Sequence, residues 1–264
     1  MTSRTRFMPK APDSYWNATR HPWSCVLFVL PLVAAYEFGI RWLCTSAPEE
    51  GRNGADIWLR QALDAVGISP MYGPPALLAG ILAVWLVCRW RDRPSDPVGV
   101  WAGMAGESVG FALALLLVSQ GMWYVLRTAD RVLCRHGPPA IGLSWPGAEA
   151  SPEPALEQII GFLGAGIYEE MLFRLLLFSA LLAVFTLADF PAWWNFALAA
   201  AVSALAFAGA HHLGPHGEPF HGMAFAFRTI AGAYFAGVYR LRGFGIAVGA
   251  HAFYDVLVGL VVSI

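Results

Sequence analysis

The sequence predicts an all-α protein, a polytopic transmembrane helical bundle of about seven or eight spans. Of its 264 residues, 57% are hydrophobic and only 13% are charged, with a net charge of -1. Soluble domains carry about 25% charged residues, so this composition favours a membrane protein. The apolar stretches leave no segment large enough for a soluble core, and one membrane domain is expected.

Seven stretches are apolar over about 20 residues, the length that crosses roughly 30 Å of hydrocarbon. Tryptophans stand at several of their ends, where an amphipathic ring prefers the headgroup zone. The fourth stretch is longer than one crossing requires, which a tilted helix would accommodate. The predicted spans cover residues 23–43, 74–90, 101–126, 156–187, 193–211, 220–241 and 244–264.

The predicted organisation has four parts. Residues 1–22 form a cytoplasmic or interfacial N-terminal segment, and the first span is expected to be an uncleaved anchor because no small-residue cleavage site is evident. Residues 23–133 form the N-terminal transmembrane helices, residues 134–155 a loop rich in proline and glycine, and residues 156–264 the C-terminal transmembrane core. Positive residues occur in loops on both sides, so the charge pattern leaves the orientation open.

The segment 55–66 lies between the first two spans and mixes apolar side chains with polar ones. Ile57, Trp58 and Leu63 are among the apolar residues, and Arg60 and Gln61 are among the polar ones. This pattern fits a helix that lies flat at the membrane surface. A plain loop helix fits it equally well.

Charge and cysteine content argue against several classes of function. The arginines form no basic face, so a nucleic-acid partner is not expected. The four cysteines are widely separated and form no C-x-x-C pair, so neither a zinc knuckle nor a redox motif is indicated. No cysteine lies near the clustered histidines of the C-terminal core, which argues against a catalytic cysteine.

Two adjacent glutamates and an arginine lie inside the fourth apolar stretch, where ionised groups are expensive. Helical spacing allows Glu170 and Arg174 to pair at i,i+4. Glu169 points about 100° away from Glu170, so it is left free to act as a general base. The alternative is that all three residues form a buried polar staple between helices.

Two histidine clusters follow in equally apolar surroundings. His211 shares a helical face with Phe207, and His251 shares one with Asp255, both at i,i+4. If the three spans converge, an imidazole beside Glu169 can orient or deprotonate a water molecule, and the second pair can hold a developing oxyanion. That combination suits peptide hydrolysis. Each histidine alone could instead be an interhelical hydrogen-bonding residue.

These clusters form three ordered patterns: Glu169-Glu170-x-x-x-Arg174, Phe207-x-x-x-His211 and His251-x-x-x-Asp255. In order and spacing they resemble the motifs of the CPBP intramembrane endopeptidases, which include the type II CAAX prenyl proteases and the Abi proteins. The resemblance covers residues 156–264. It implies an all-helical membrane bundle that hydrolyses a peptide bond of a membrane-associated protein or peptide.

The resemblance also implies roles for individual residues. Glu169 would activate water together with His211, and His251 with Asp255 would stabilise the oxyanion. Glu170 and Arg174 would support the site, as would Phe207 of the second motif. The implied catalytic residues are therefore Glu169, His211, His251 and Asp255.

One position departs from the family pattern, because Asp255 stands where asparagine is usual. An aspartate donates a hydrogen bond only when it is protonated. An ionised Asp255 would instead orient or charge His251, as in other acid–histidine pairs. Both readings stay open.

A zinc site is the alternative to metal-free catalysis. Glu169, His211 and His251 could supply three ligands, and further potential ligands follow His211 in the chain. These are His212, His216, Glu218 and His221. The His-Glu-x-x-His signature of zinc proteases is missing from the sequence, so we favour catalysis without a cofactor, with zinc as the alternative.

The expected partners are a membrane-associated protein or peptide substrate and the lipid bilayer. We expect a multi-pass integral membrane protein, in the plasma (inner) membrane if the source is bacterial. A proton-coupled transporter and a non-catalytic membrane scaffold are alternatives of a different class, but no inverted repeat supports transport. Two further intramembrane acids, Glu37 and Glu107, could line the cavity, although bonding across helices is favoured.

Overall fold

The computed structural model describes residues 14–43, 51–90, 94, 96–133, 155–214 and 217–262. Over these residues the regular structure is entirely helical, which confirms the predicted polytopic helical bundle. The predicted loop 134–155 lies outside the described residues except for Ala155, which begins a helix. Most of the predicted N-terminal segment, residues 1–13, also lies outside them.

The described residues form ten α-helices. They are α1 (Tyr15–Ala18), α2 (Pro22–Leu43), α3 (Gly54–Asp64), α4 (Gly73–Cys88), α5 (Pro97–Leu133), α6 (Ala155–Glu170), α7 (Ser179–Leu187), α8 (Ala192–Ala210), α9 (Gly222–Arg242) and α10 (Phe244–Val256). Two π-helical segments, Met171–Phe178 and Leu257–Val262, continue α6 and α10.

Each predicted span falls on a helical run, although α5 extends seven residues beyond the predicted end of the third span, and the fourth and seventh runs include the π-helical segments. Four helical runs are long and apolar enough to cross a membrane: Pro22–Leu43, Pro97–Val125, Ala155–Leu187 and Ala192–Ala210. The runs Gly73–Cys88 and Phe244–Gly259 are apolar but shorter. Helix α9 is long but less apolar, and it carries three arginines. The chain is therefore an integral membrane protein.

The fourth predicted span is one unbroken helical run whose middle is widened into the π-helical segment. This segment begins directly after Glu170. Ser203 of α8 donates a 2.7 Å hydrogen bond to the Phe173 carbonyl, and Ser179 donates one of 3.1 Å to the Arg174 carbonyl. Such π-helical turns are frequent at functional sites.

Close packing of α10 against its neighbours depends on glycines. A Cβ on Gly166 of α6 would lie 2.8 Å from the backbone nitrogen of Ala252 in α10. A Cβ on Gly249 would lie 2.5 Å from the Ser108 hydroxyl of α5, and one on Gly245 would lie 2.7 Å from Met104. Small residues allow this approach of the backbones. The end of α6 is thereby held against the middle of α10.

The short helix α3 packs against α4 and α6. Its buried side carries Ala55, Asp56, Leu59 and Arg60. The segment is therefore helical as expected, but two charged side chains lie on its buried face. Each meets a partner of opposite charge: Asp56 pairs with Arg52, just before α3, and Arg60 pairs with Glu37 of α2.

Candidate active site

The three sequence clusters meet at one place in the bundle. Glu169 lies at the C-terminal end of α6, His211 directly follows α8, and His251 lies within α10. Glu169 Oε2 is 3.9 Å from His211 Nε2 and 3.8 Å from His251 Nε2. The predicted convergence of the carboxylate and the two imidazoles is thus observed.

A cavity of about 160 Å³ opens onto this group. That volume has room for several water molecules. Its lining residues are Asn53, Gly54, Ala55, Ile57, Trp58, Glu169, Phe173, Ala210, His211, Leu213 and Glu218. Among the described residues, His251 and Asp255 do not line the cavity, so His251 contacts Glu169 from the buried side.

The two oxygens of the Glu169 carboxylate have different surroundings. Oε1 accepts a 2.8 Å hydrogen bond from the Asn53 side-chain amide. Oε2 is buried and accepts no hydrogen bond within the described part of the chain. Its separations of 3.8 and 3.9 Å from the two Nε2 atoms are too long for direct hydrogen bonds. Each separation falls within the reach of one bridging water molecule.

His211 is oriented by the backbone of its own helix. Its Nδ1 lies 2.8 Å from the Phe207 carbonyl, which can only accept, so Nδ1 carries the proton and donates. The unprotonated Nε2 then faces Glu169 and the cavity. The Phe207 ring also meets the imidazole edge to face at 4.9 Å.

His251 is oriented by a carboxylate on α6. Its Nδ1 donates to Glu170 Oε1 over 2.8 Å, and the same oxygen lies 3.1 Å from Arg174 Nη1. Glu170 and Arg174 are fully buried. Buried charges need such pairing because their desolvation is costly. Glu170 therefore bridges its predicted partner Arg174 and His251.

Aromatic rings enclose this buried group. The Arg174 guanidinium lies 4.4 Å from the Phe207 ring centre and 5.5 Å from that of Phe235. Phe235 stacks on His251 with centres 4.6 Å apart, and Phe207 meets His251 edge to face. The rings restrict rotation of the imidazole, and they stabilise the arginine through cation–π contacts.

Asp255 lies farther from His251 than the i,i+4 spacing in the sequence implied. Its Oδ2 is 3.5 Å from His251 Nε2, beyond good hydrogen-bonding distance. The carboxylate that hydrogen-bonds His251 is Glu170. The sequence motifs gave Glu170 a supporting role but no sign of this contact, because the two residues are 81 positions apart.

Asn53 is a site residue that sequence reasoning missed. It caps α3, with its Oδ1 accepting from Ala55 N at 2.8 Å. An asparagine before an amphipathic segment is a recognisable capping signal. Nothing local in the sequence shows that its amide would reach Glu169, which is 116 positions away.

The ligand set fits zinc poorly. A tetrahedral zinc ion with bonds of about 2.0–2.1 Å would hold its ligand atoms about 3.3–3.4 Å apart, whereas the nitrogen–oxygen separations are 3.8 and 3.9 Å. The described residues contain no group of three or more His, Cys, Asp or Glu side chains suited to a metal ion.

Of the additional potential ligands after His211, His212 and Glu218 have other partners. His212 Nδ1 contacts the Glu218 carbonyl at 3.0 Å. The Glu218 carboxylate pairs with Arg228 at 2.7 Å. His216 lies outside the described residues.

The two other intramembrane acids bond across helices, as favoured from the sequence. Glu37 of α2 accepts a hydrogen bond from Arg60 of α3 at 3.1 Å and one from Tyr168 of α6 at 2.7 Å. Glu107 of α5 accepts two hydrogen bonds from Arg242 of α9, from Nε at 2.5 Å and from Nη2 at 2.7 Å.

Comparison with known proteins gives one match. The family model for the type II CAAX prenyl endopeptidase Rce1-like proteins matches residues 151–257. No curated protein and no solved structure matches the chain. The matched range contains all four residues of the proposed catalytic group, whereas Asn53 lies outside it. This match agrees with the resemblance to the CPBP endopeptidases that the three motifs indicated, over residues 151–257.

Proposed function

We propose that the protein is an intramembrane endopeptidase that hydrolyses a peptide bond of a membrane-associated protein or peptide with water activated by Glu169 and His211. The observation that carries the proposal is the spacing of three atoms. Glu169 Oε2 lies 3.9 Å from His211 Nε2 and 3.8 Å from His251 Nε2, so a water molecule in the cavity can bridge the Glu169 carboxylate and His211.

The proposed reaction begins with that water molecule. Glu169 accepts a proton from it as the oxygen attacks the substrate carbonyl. His211 presents an unprotonated Nε2, which orients the water by accepting its other hydrogen. Glu169 can then pass its proton to the leaving amine, which balances the hydrolysis.

His251 is proposed to stabilise the oxyanion. Its Nδ1 already donates to Glu170, so Nε2 becomes a donor only in the doubly protonated imidazolium. The carboxylates of Glu170 and Asp255 stabilise that charged form. Preorganised donors of this kind in a dehydrated site are a major source of catalytic power.

The cavity walls fit an apolar peptide segment. Ile57 and Trp58 of α3 and Leu213 after α8 contribute apolar surface, and Phe173 lies beside Glu169. The match to a family described as CAAX prenyl endopeptidases supports a peptide substrate held at the membrane.

The test compares protein termini in membranes that contain wild-type protein, Glu169→Gln or His211→Ala. New termini that depend on both side chains are expected in the wild type, and their loss should exceed about 100-fold, the range for removing a general base. Purified proteins in proteoliposomes are then assayed on a farnesylated CAAX peptide and on peptides that span the identified termini.

Matched controls are Glu157→Gln, an acid in the first turn of α6, and His221→Ala, an exposed histidine before α9. Both should cleave like wild type. Full activity in purified, folded Glu169→Gln or His211→Ala would refute the assignment.

A further inference from the structure

We infer that Asn53, from the N-terminal half of the chain, is a positioning residue that holds the Glu169 carboxylate in its reactive orientation. The inference rests on the proposed function. Asn53 Nδ2 donates to Glu169 Oε1 at 2.8 Å, so one carboxylate oxygen is fixed while Oε2 faces the two histidines.

The orientation of the Asn53 amide follows from its two partners. Oδ1 accepts from Ala55 N at 2.8 Å, and Nδ2 donates to Glu169 at 2.8 Å. A flipped amide would set an oxygen against the carboxylate and an NH₂ group against a backbone N–H. Both contacts would be repulsive, so the cap of α3 and the bond to Glu169 enforce each other.

Helix α3 is fastened to the rest of the site by a buried group of side chains, here named the anchor cluster. Its members are Tyr36, Glu37, Arg52, Asp56, Arg60 and Tyr168. Asp56 pairs with Arg52 and with Arg60, each over 2.8 Å. These two pairs fix the buried face of α3 in the turn that follows Asn53.

The anchor cluster also connects three elements. Arg60 of α3 reaches Glu37 of α2 at 3.1 Å, and Tyr36 of α2 donates to Asp56 at 2.9 Å. Tyr168, the neighbour of Glu169 in α6, donates to Glu37 at 2.7 Å. The neighbours of both residues, Arg52 beside Asn53 and Tyr168 beside Glu169, are therefore held by the anchor cluster.

Through Asn53, the N-terminal half of the chain takes part in positioning Glu169 for the reaction. The Asn53 side chain reaches the Glu169 carboxylate from the N-terminal cap of α3. It lies outside the matched range 151–257.

The competing explanation is that Asn53 only caps α3. Substitutions that keep the cap but cannot donate to Glu169 distinguish this role from positioning of the carboxylate. Serine and aspartate both cap helices about as well as asparagine. Neither can donate from the Asn53 Nδ2 position to Glu169 Oε1. Asn53→Ser and Asn53→Asp therefore retain the cap and remove the positioning bond.

The experiment measures kcat, KM and melting temperature of both variants in proteoliposomes. The probe is a peptide whose cleaved terminus disappears in Glu169→Gln membranes. We expect kcat to fall about 10- to 100-fold, the scale of a misplaced catalytic group, with KM and melting temperature close to wild type. Asn53→Asp should lose at least as much as Asn53→Ser because it sets a second carboxylate against Glu169.

Two control variants are used. One makes the same asparagine-to-serine change elsewhere in the protein, and the other changes a different residue of α3. Asn195→Ser removes a buried amide that bonds Thr186 at 2.6 Å, and Gln61→Ser alters an exposed position of α3. Both should keep the wild-type kcat. Unchanged kcat in either Asn53 variant, a rise in KM alone, or a collapse in melting temperature would overturn the positioning role. If Glu169→Gln is inactive in the same series, the proposed function still stands.

Discussion

The Nδ1 atom of His251 lies 2.8 Å from Oε1 of Glu170. This contact makes the second glutamate of the first motif the residue that orients the histidine of the third motif. The same oxygen neutralises Arg174, which is fully buried. The Glu170 carboxylate thus stabilises the bundle by pairing with Arg174 and also orients His251 in the site.

Glu170→Gln is predicted to lower both stability and activity. The change leaves Arg174 without its negative partner, and breaking a buried pair costs about 3–5 kcal/mol. It also removes the charge that supports a protonated His251. Thermal unfolding in detergent and the cleavage rate measure the two effects, with Glu157→Gln as the control on the same helix. A variant with wild-type melting and wild-type rate would contradict this role.

Asp255→Asn is predicted to retain cleavage to within about 10-fold, whereas Asp255→Ala should lose more. The neutral amide can donate to an oxyanion without first being protonated, and the Oδ2–Nε2 distance of 3.5 Å shows that no tight hydrogen bond to His251 would be sacrificed. The measurement is kcat for the two variants side by side. Equal losses in both would mean that the negative charge itself is required.

Gly166→Ala is predicted to separate α6 from α10 and to reduce both stability and cleavage. The added Cβ would lie 2.8 Å from the Ala252 nitrogen and 2.9 Å from the Val248 carbonyl oxygen. Backbone atoms cannot move aside as a flexible side chain can. Gly161→Ala on the same helix meets nothing within 4 Å and should be neutral. Melting temperatures of the two variants test this, and equal values would contradict the close packing.

Chelation is predicted to leave cleavage unchanged. The nitrogen–oxygen separations of 3.8 and 3.9 Å exceed the spacing of about 3.3–3.4 Å that a tetrahedral zinc site requires. The assay is the peptide cleavage rate before and after treatment with a strong zinc chelator, together with the metal content of the purified protein. One metal ion per chain, with activity lost on chelation and restored by zinc, would favour the zinc alternative.

The helices and the order of the three motifs were determined by the sequence itself. Apolar stretches of span length predict helices locally, because a chain in hydrocarbon must satisfy its backbone hydrogen bonds within each segment. The pairing of Glu170 with Arg174 likewise follows from helical spacing alone.

The tertiary structure alone decided how the site is completed. Asn53 and Glu169 are 116 positions apart, and Glu170 and His251 are 81 apart. Their contacts depend on glycines that let α6 approach α10 and on the anchor cluster that fixes α3. Periodicity reports which face of a helix is apolar, but the partner of a buried polar group is chosen by the packing of distant segments, where each unpaired charge would be costly.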